Sequence, residues 1–423
     1  MSYIPLPSFL LLAWLALAAG LLFAWRRSLL ALWCEPVFKT PILIVESDDW
    51  GAGPPAQAEA LYAIRACLER HHDATGRPAV MTLALILATP KPGMVGFVSL
   101  MDASQQATLA AIRSGQERGV FALQLHGMLH FWPHALQAAA LDQAWVRAWL
   151  DYPDVTERLP SPLQSRWIDA STLPSRPHAP EEIQAAVKEE VETFRNLFGA
   201  GTPVGAALAA IHPGGWAESF APEGAPTPLV VVPPTFVWTR EVEAAWAAQG
   251  VDVVITPGHR FTCRDAAGKP SCQDRAMVNG ERGEGDVLYL VRDEYFEPLF
   301  GHRPEQALAA LARKTWLGRP CLLETHRCNF LAETGGNLSS ALIALDTLYA
   351  IALRDYPMLR FASCSELGQA IRAYDTHWIE QDGRRRFTLW LRRAALLPRF
   401  GKAARLAGLL PLLKLFALRD GYP

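Results

Sequence analysis

Three short stretches of this chain carry residues able to do chemistry together. They are Ser47-Asp48-Asp49-Trp50-Gly51, His126-Gly-Met-Leu-His130 and Glu324-Thr-His326-Arg327. Two adjacent carboxylates can divide labour, one binding a metal and the other meeting an attacking water. Side chains alternate along a strand, so both point one way only if the backbone twists between them. His126 and His130 are four apart, and one helical turn would set both imidazoles on one face to share an ion. His134 continues that spacing and is read as a supporting or incidental residue, since Pro133 disturbs a helix there. A carboxylate and two imidazoles leave positions open for water and substrate, as hydrolysis requires. A distant histidine, His326, is suited to protonate a leaving amine.

These residues need a scaffold that gathers them. Each stretch follows an apolar run: Pro41 to Val45, Gly119 to Leu125 and Pro320 to Leu323. Strand-like runs also occur at Val80–Leu87, Leu229–Val232, Val251–Ile255, Asp286–Val291 and Met358–Phe361. Helical stretches alternate with them, at 57–72, 103–118, 135–150, 180–198, 240–249, 304–317 and 337–354. Alternating strand and helix predicts a parallel sheet or barrel. In such barrels chemistry is done at the rim past the C-terminal strand ends. The stretches 151–180 and 199–228 are read as insertions, rich in turn-forming residues.

The ends read differently. Ile4 to Trp25 holds no charged residue, and Arg26 and Arg27 follow it. About 20 apolar residues cross a bilayer as a helix. The positive charges after the run place the bulk of the chain in the cytoplasm of a cell bounded by an inner membrane, with a periplasmic orientation as the alternative. Residues 1–27 are therefore read as a single-pass anchor, 28–40 as a linker, 41–375 as the catalytic unit and 376–423 as a tail. From Arg384 onward eight Arg and two Lys face one acid, so the tail carries +9 of a total of -2 and the rest about -11. Leu, Phe and Trp interleave with those cations, and Pro398 and Pro411 are expected to break the tail into short helices. Such a tail lies in the membrane interface and prefers anionic lipid.

The near-neutral whole argues against a general nucleic-acid binder. The sequence shows neither a glycine-rich phosphate loop nor a nucleophile elbow. Cys263 and Cys272 flank a turn and can pair in an oxidising compartment; otherwise the seven cysteines stand as reduced thiols.

The motifs resemble those of the polysaccharide deacetylase family of carbohydrate esterases. The Asp pair matches Asp48-Asp49, the His-x-x-x-His motif matches His126 and His130, and the late Leu-x-His matches Leu323-Glu-Thr-His326. The resemblance spans about 41–361 and implies a distorted (β/α) barrel of about seven parallel strands. It implies Asp48 as general base, His326 as general acid, and Asp49, His126 and His130 as ligands of a divalent transition metal. Zinc comes first, and Co, Ni, Mn or Fe suit the same donors. It implies an N-acetylated sugar as substrate, in a polysaccharide or a lipid-linked glycan. The family's Arg-Pro-Pro-Tyr-like segment aligns with Val232-Pro233-Pro234-Thr235-Phe236, which puts Val232 where an arginine orients the catalytic Asp. Arg240 and Arg327 are candidates to replace it, and Trp50, Pro234 and Phe236 to bind or support substrate. Two alternatives stand beside this expectation. One is an inactive, glycan-binding or scaffolding relative; the other is a deformylase or O-acyl esterase.

Overall fold

The computed structural model describes residues 6–92, 96–151, 158–199 and 227–418. Nearly all of the expected 199–228 insertion lies outside the described residues.

Among the described residues nine strands make the main sheet: β1 (Ile42–Gly51), β2 (Met81–Ile86), β3 (Phe121–Gly127), β4 (Val230–Val231), β5 (Val253–Thr256), β6 (Leu288–Val291), β7 (Glu294–Tyr295), β8 (Cys321–His326) and β9 (Arg360–Phe361). Their order is β6-β5-β4-β3-β2-β1-β8-β7, with β9 beside β1. Every pairing is parallel. Parallel neighbours need crossover connections, which the intervening helices supply. β6 and β7 lie at opposite ends of this order, yet only Arg292 and Asp293 separate them in the chain. Read as one run, 288–295 pairs with β5 at its start and β8 at its end. The sheet therefore curls into a (β/α) barrel of seven staves, with β9 a short addition at the foot of β1.

Period-two alternation sorts each strand into two faces. Leu43, Val45, Leu83, Leu125, Val254 and Leu323 pack outward under the helices. Ile42, Ile44, Val230, Ile255, Leu290 and Leu322 point inward. The inner face changes character toward the C-terminal ends. Above the apolar layers stand Glu46, Gln124, Arg292 and Glu324, all buried. The foot is closed by a helix, Cys364–Arg372, whose Leu367, Ala370 and Ile371 join the inner core with Trp378 and Ile379. Trp378 and Ile379 thus belong to the barrel and not to the tail, which starts at the helix Gly383–Leu396.

The expected linker is mostly helical, over Arg26–Cys34. The N-terminal helix Leu6–Ala24 is long and apolar enough to cross a membrane. The tail forms three helices, Gly383–Leu396, Phe400–Leu406 and Leu409–Leu418. Pro398 separates the first two. Pro411 breaks nothing, because it sits in the first turn of the third, where amides lack an intrahelical acceptor. The tail folds back on the N-terminal helices: Ala18, Leu29, Leu32, Leu391, Phe400 and Leu409 share one apolar cluster. Trp14 Nε1 donates to the Ala407 carbonyl at 2.7 Å, and Trp390 Nε1 to that of Leu29 at 2.9 Å.

Cys263 and Cys272 form a disulfide across a small antiparallel hairpin, Phe261–Arg264 with Pro270–Gln273. Cys34, Cys67, Cys321 and Cys364 stand outside any disulfide. The described part of the 151–180 insertion is packed, with Arg166, Trp167 and Ile168 buried.

Candidate active site

Asp48 and Asp49 end up on the same side of the sheet because β1 bulges there. Ser47 pairs with Leu83 and Trp50 with Leu85, so three steps on β1 match two on β2. An extra residue bends the strand and re-aims side chains. The twist falls on Asp49, whose φ is 72°. β2 and β3 repeat the device: Leu85 pairs with Leu125 and Ile86 with Gly127, which makes His126 the extra residue. Gly127 has φ 125°, and a Cβ there would meet Arg166 Cδ and the Leu129 carbonyl at 3.0 Å. The backbone then bends through His130, and a helix begins only at Pro133. The expected helical turn linking the two histidines is therefore absent; a strand end and a bend bring them together instead. His134 lies on that helix, outside the cluster.

Asp49, His126 and His130 form a buried cluster. Asp49 Oδ1 is 3.5 Å from His126 Nε2 and 3.4 Å from His130 Nε2. These distances are long for hydrogen bonds. They suit a shared ion, since two ligands about 2.1 Å from a tetrahedral metal stand about 3.4 Å apart. Asp49 Oδ1 is buried without a hydrogen-bond partner, a costly state that a cation would relieve. His126 Nδ1 lies 2.8 Å from the Val232 carbonyl, which orients Nε2 toward Asp49. Burial raises the Asp49 carboxyl, but His130 and His126 more than offset this and hold it below its ordinary value. Burial pushes His130 down to about 4, the neutral form a metal needs. The donor set therefore fits a divalent transition metal.

Glu190 fixes the bend that carries His130. Its carboxylate is fully buried and accepts from the Met128 amide at 3.2 Å, from Arg166 Nε at 2.9 Å and from Trp246 Nε1 at 3.2 Å. Outer partners of this kind tune metal sites, so Glu190→Gln should weaken metal affinity about 10- to 100-fold. A competition titration with a chromogenic chelator reads this; unchanged affinity would leave Glu190 a purely structural residue.

Asp48 faces Arg292 rather than the imidazoles of His126 and His130. Arg292 Nη1 donates to Oδ1 at 2.9 Å and Nη2 to Oδ2 at 2.6 Å. The guanidinium is fully buried and also lies 3.3 Å from Glu46 and 3.2 Å from Glu324. Burial raises the Asp48 carboxyl, yet Arg292, His126 and His326 hold it below its ordinary range. Glu46 and Glu324 go the other way: burial dominates and raises both, Glu324 to about 6. His326 stands at the opening, partly exposed. Its Nδ1 is 2.6 Å from Glu297 Oε1, leaving Nε2 toward the interior. Burial lowers the imidazole, but the Glu297 bond and charge raise it well above its ordinary value.

The remaining sequence candidates fall in different places. Pro234 and Phe236 form a turn at the rim after β4, and the Phe236 ring lies 5.2 Å from the Arg292 guanidinium carbon. Trp50 is fully buried, donates to Ser47 Oγ at 2.7 Å and packs on Phe330, so it supports the bulge. Arg327 is buried beside Gly53. Arg240 is exposed and pairs with Asp274 and Glu284, outside the cluster. The guanidinium that contacts Asp48 is that of Arg292. Arg292, Glu297, Glu46 and Glu190 were not expected as site residues. One signal was present: Arg292 directly follows an apolar run, and Asp48 and His326 follow theirs after two intervening residues.

No protein-family model matches the chain, and no curated protein matches it. Solved structures do. A 4-alpha-glucanotransferase from Thermococcus litoralis matches at 10% identity and TM-score 0.38, over 89% of this chain and 48% of that one, so the chain spans about half its length. A provisionally named polysaccharide deacetylase from Mycobacterium smegmatis matches at 12% identity and TM-score 0.37, over 79% of this chain and 91% of that one. The alpha-amylase AmyC from Thermotoga maritima matches at 9% identity and TM-score 0.37, over 78% and 74%.

Proposed function

We propose that this chain is a metal-dependent hydrolase that removes an N-acetyl group from a sugar of a glycan. The observation that carries the reading is Asp49 Oδ1, buried and unpartnered between two imidazole Nε2 atoms, with Asp48 and His326 beside it. Asp49, His126 and His130 would hold the ion, which supplies a Lewis acid for the acyl carbonyl and for water. Asp48, held anionic and aimed by Arg292, accepts the proton of the attacking water. His326, kept protonated by Glu297, gives a proton from Nε2 to the departing amine. Arg292 fixes Asp48 without competing for its proton, because a guanidinium stays charged.

The reading as an inactive relative was motivated by Val232 at the arginine position. Arg292, between β6 and β7, pairs with Asp48 and supports the active reading. Formyl, acetyl and O-acetyl sugars offered side by side separate the deacetylase from the deformylase and esterase readings. The primary test is metal content of detergent-purified protein beside amine release. About one equivalent of metal in the wild type and almost none in His126→Ala, with amine release in the first alone, is the expected result. Metal-free wild type after reloading would end the proposal.

Leu6–Ala24 serves as the membrane anchor in this reading. Arg26 and Arg27 favour a cytoplasmic barrel, whereas a disulfide persists on the oxidising side. We give precedence to the covalent bond, and so to the periplasmic orientation. In intact cells Cys263 and Cys272 should resist alkylation until a reductant is added. Direct alkylation of both would return the barrel to the cytoplasm.

A further inference from the structure

The membrane-associated helices and the candidate site occupy opposite ends of the barrel. Arg393, on the first tail helix, is buried and donates to the carbonyls of Leu317, Glu35, Pro36 and Gly318. Those residues directly precede β1 and β8, so the tail helix is fixed at the N-terminal foot of the strands. The same helix holds Arg26–Cys34 through Trp390, and the next segment holds the N-terminal helix through Trp14. Exposed Arg385 donates to the Lys39 carbonyl, which sets a positive charge suited to anionic headgroups at this foot. Asp48, Asp49, His126 and His326 lie at the other end. From Ile42 to Asp48 the strand climbs about 20 Å, or about 15 Å along a tilted barrel axis. The route through the foot is shut by Leu367, Ile371, Trp378 and Ile379.

We infer that the mouth opens away from the bilayer and that the substrate is a glycan presented from the aqueous side, not a sugar joined directly to a membrane-embedded carrier. This rests on the hydrolase reading of the mouth. It deepens that reading by naming the substrate class: a soluble or polymeric acetylated sugar chain whose acyl group reaches the mouth from above. A carrier-linked sugar held at the headgroups would have to pass around the foot and climb the barrel wall. The inference holds in either compartment, because it depends on the placement of the anchor and not on its orientation.

The test uses the full chain reconstituted in liposomes containing anionic lipid. Two glycosides of the same N-acetylated hexosamine are offered, one with a short soluble alkyl chain and one with a dialkylglycerol that inserts in the bilayer. Amine release from the lipid-borne sugar should be lower by about tenfold or more, because a tether that cannot span the gap gives almost no effective concentration. In detergent micelles the two should converge. Equal or faster release from the bilayer-borne sugar would overturn the inference. Release from neither would sink the hydrolase reading, and the geometry is then judged by a second measurement. In a Cys34→Ser background, a fluorophore is placed by Phe300→Cys, exposed at the rim, or by Trp316→Cys, exposed at the foot. Headgroup-attached quenchers should dim the foot label and spare the rim label. Equal quenching would refute the placement.

Discussion

Asp48→Asn should leave metal bound and remove turnover. The loss expected for a general base is about 10²- to 10⁴-fold. The two adjacent carboxylates make the prediction sharp, because each has a different neighbour. Asp49 lies against His126 and His130, while Asp48 lies against Arg292. Asp49→Asn should therefore lose metal, and Asp48→Asn should keep about one equivalent. The Asn amide retains one acceptor for Arg292, and Glu46 and Glu324 still surround that guanidinium. Stability should accordingly fall by only about 1.5–3 kcal/mol, the range for a lost hydrogen bond to a charged group. Metal content, thermal unfolding and amine release on the same preparation check all three. Retained turnover in Asp48→Asn would reverse the role assignment, as would loss of metal.

Much of this arrangement was legible in the sequence, and the reasons it was incomplete are physical. Asp48-Asp49, His126 and His326 each end an apolar run, and strand ends on one parallel sheet converge. What the sequence could not show was the bulge that turns both carboxylates inward. A register shift belongs to the pairing of β1 with β2, not to either strand. His130 illustrates the same limit. Four-residue spacing suggests a helical turn, but a bend after β3, held by Glu190, produces the same juxtaposition. Val232 shows how an aligned position can change its job. Its side chain is apolar and inward, and its carbonyl meets His126 Nδ1. The guanidinium beside Asp48 comes from Arg292, 244 residues further along the chain. That contact exists only because 288–295 bridges from β5 to β8 and closes the barrel. Glu297 reaches His326 in the same way, from the loop after β7.

Loss of Arg292 should consequently destabilise the fold strongly. Arg292→Met would leave Asp48, Glu46 and Glu324 buried around an apolar side chain. Removing one partner of a buried ion pair costs about 3–5 kcal/mol, because the remaining charge is uncompensated. The pH dependence gives this a distinctive form. Burial already raises Glu46 and Glu324 above their ordinary values despite Arg292. A carboxyl whose folded pKa is raised binds its proton more tightly in the native state. Its stability contribution is then lost as pH rises through the interval between the unfolded and folded values. In the wild type that interval for Glu324 ends at about 6. Without the Arg292 charge both carboxyls should move further up. The variant should therefore unfold progressively more easily from pH 5 toward pH 8, with the gap to wild type narrowing in acid. Adding Glu46→Gln and Glu324→Gln removes two of the three charges and should restore much of the stability without restoring turnover, since Asp48 still lacks its orienting partner. Denaturant melts at several pH values measure both effects. A pH-independent loss in Arg292→Met would mean that packing, not the three carboxylates, sets its cost.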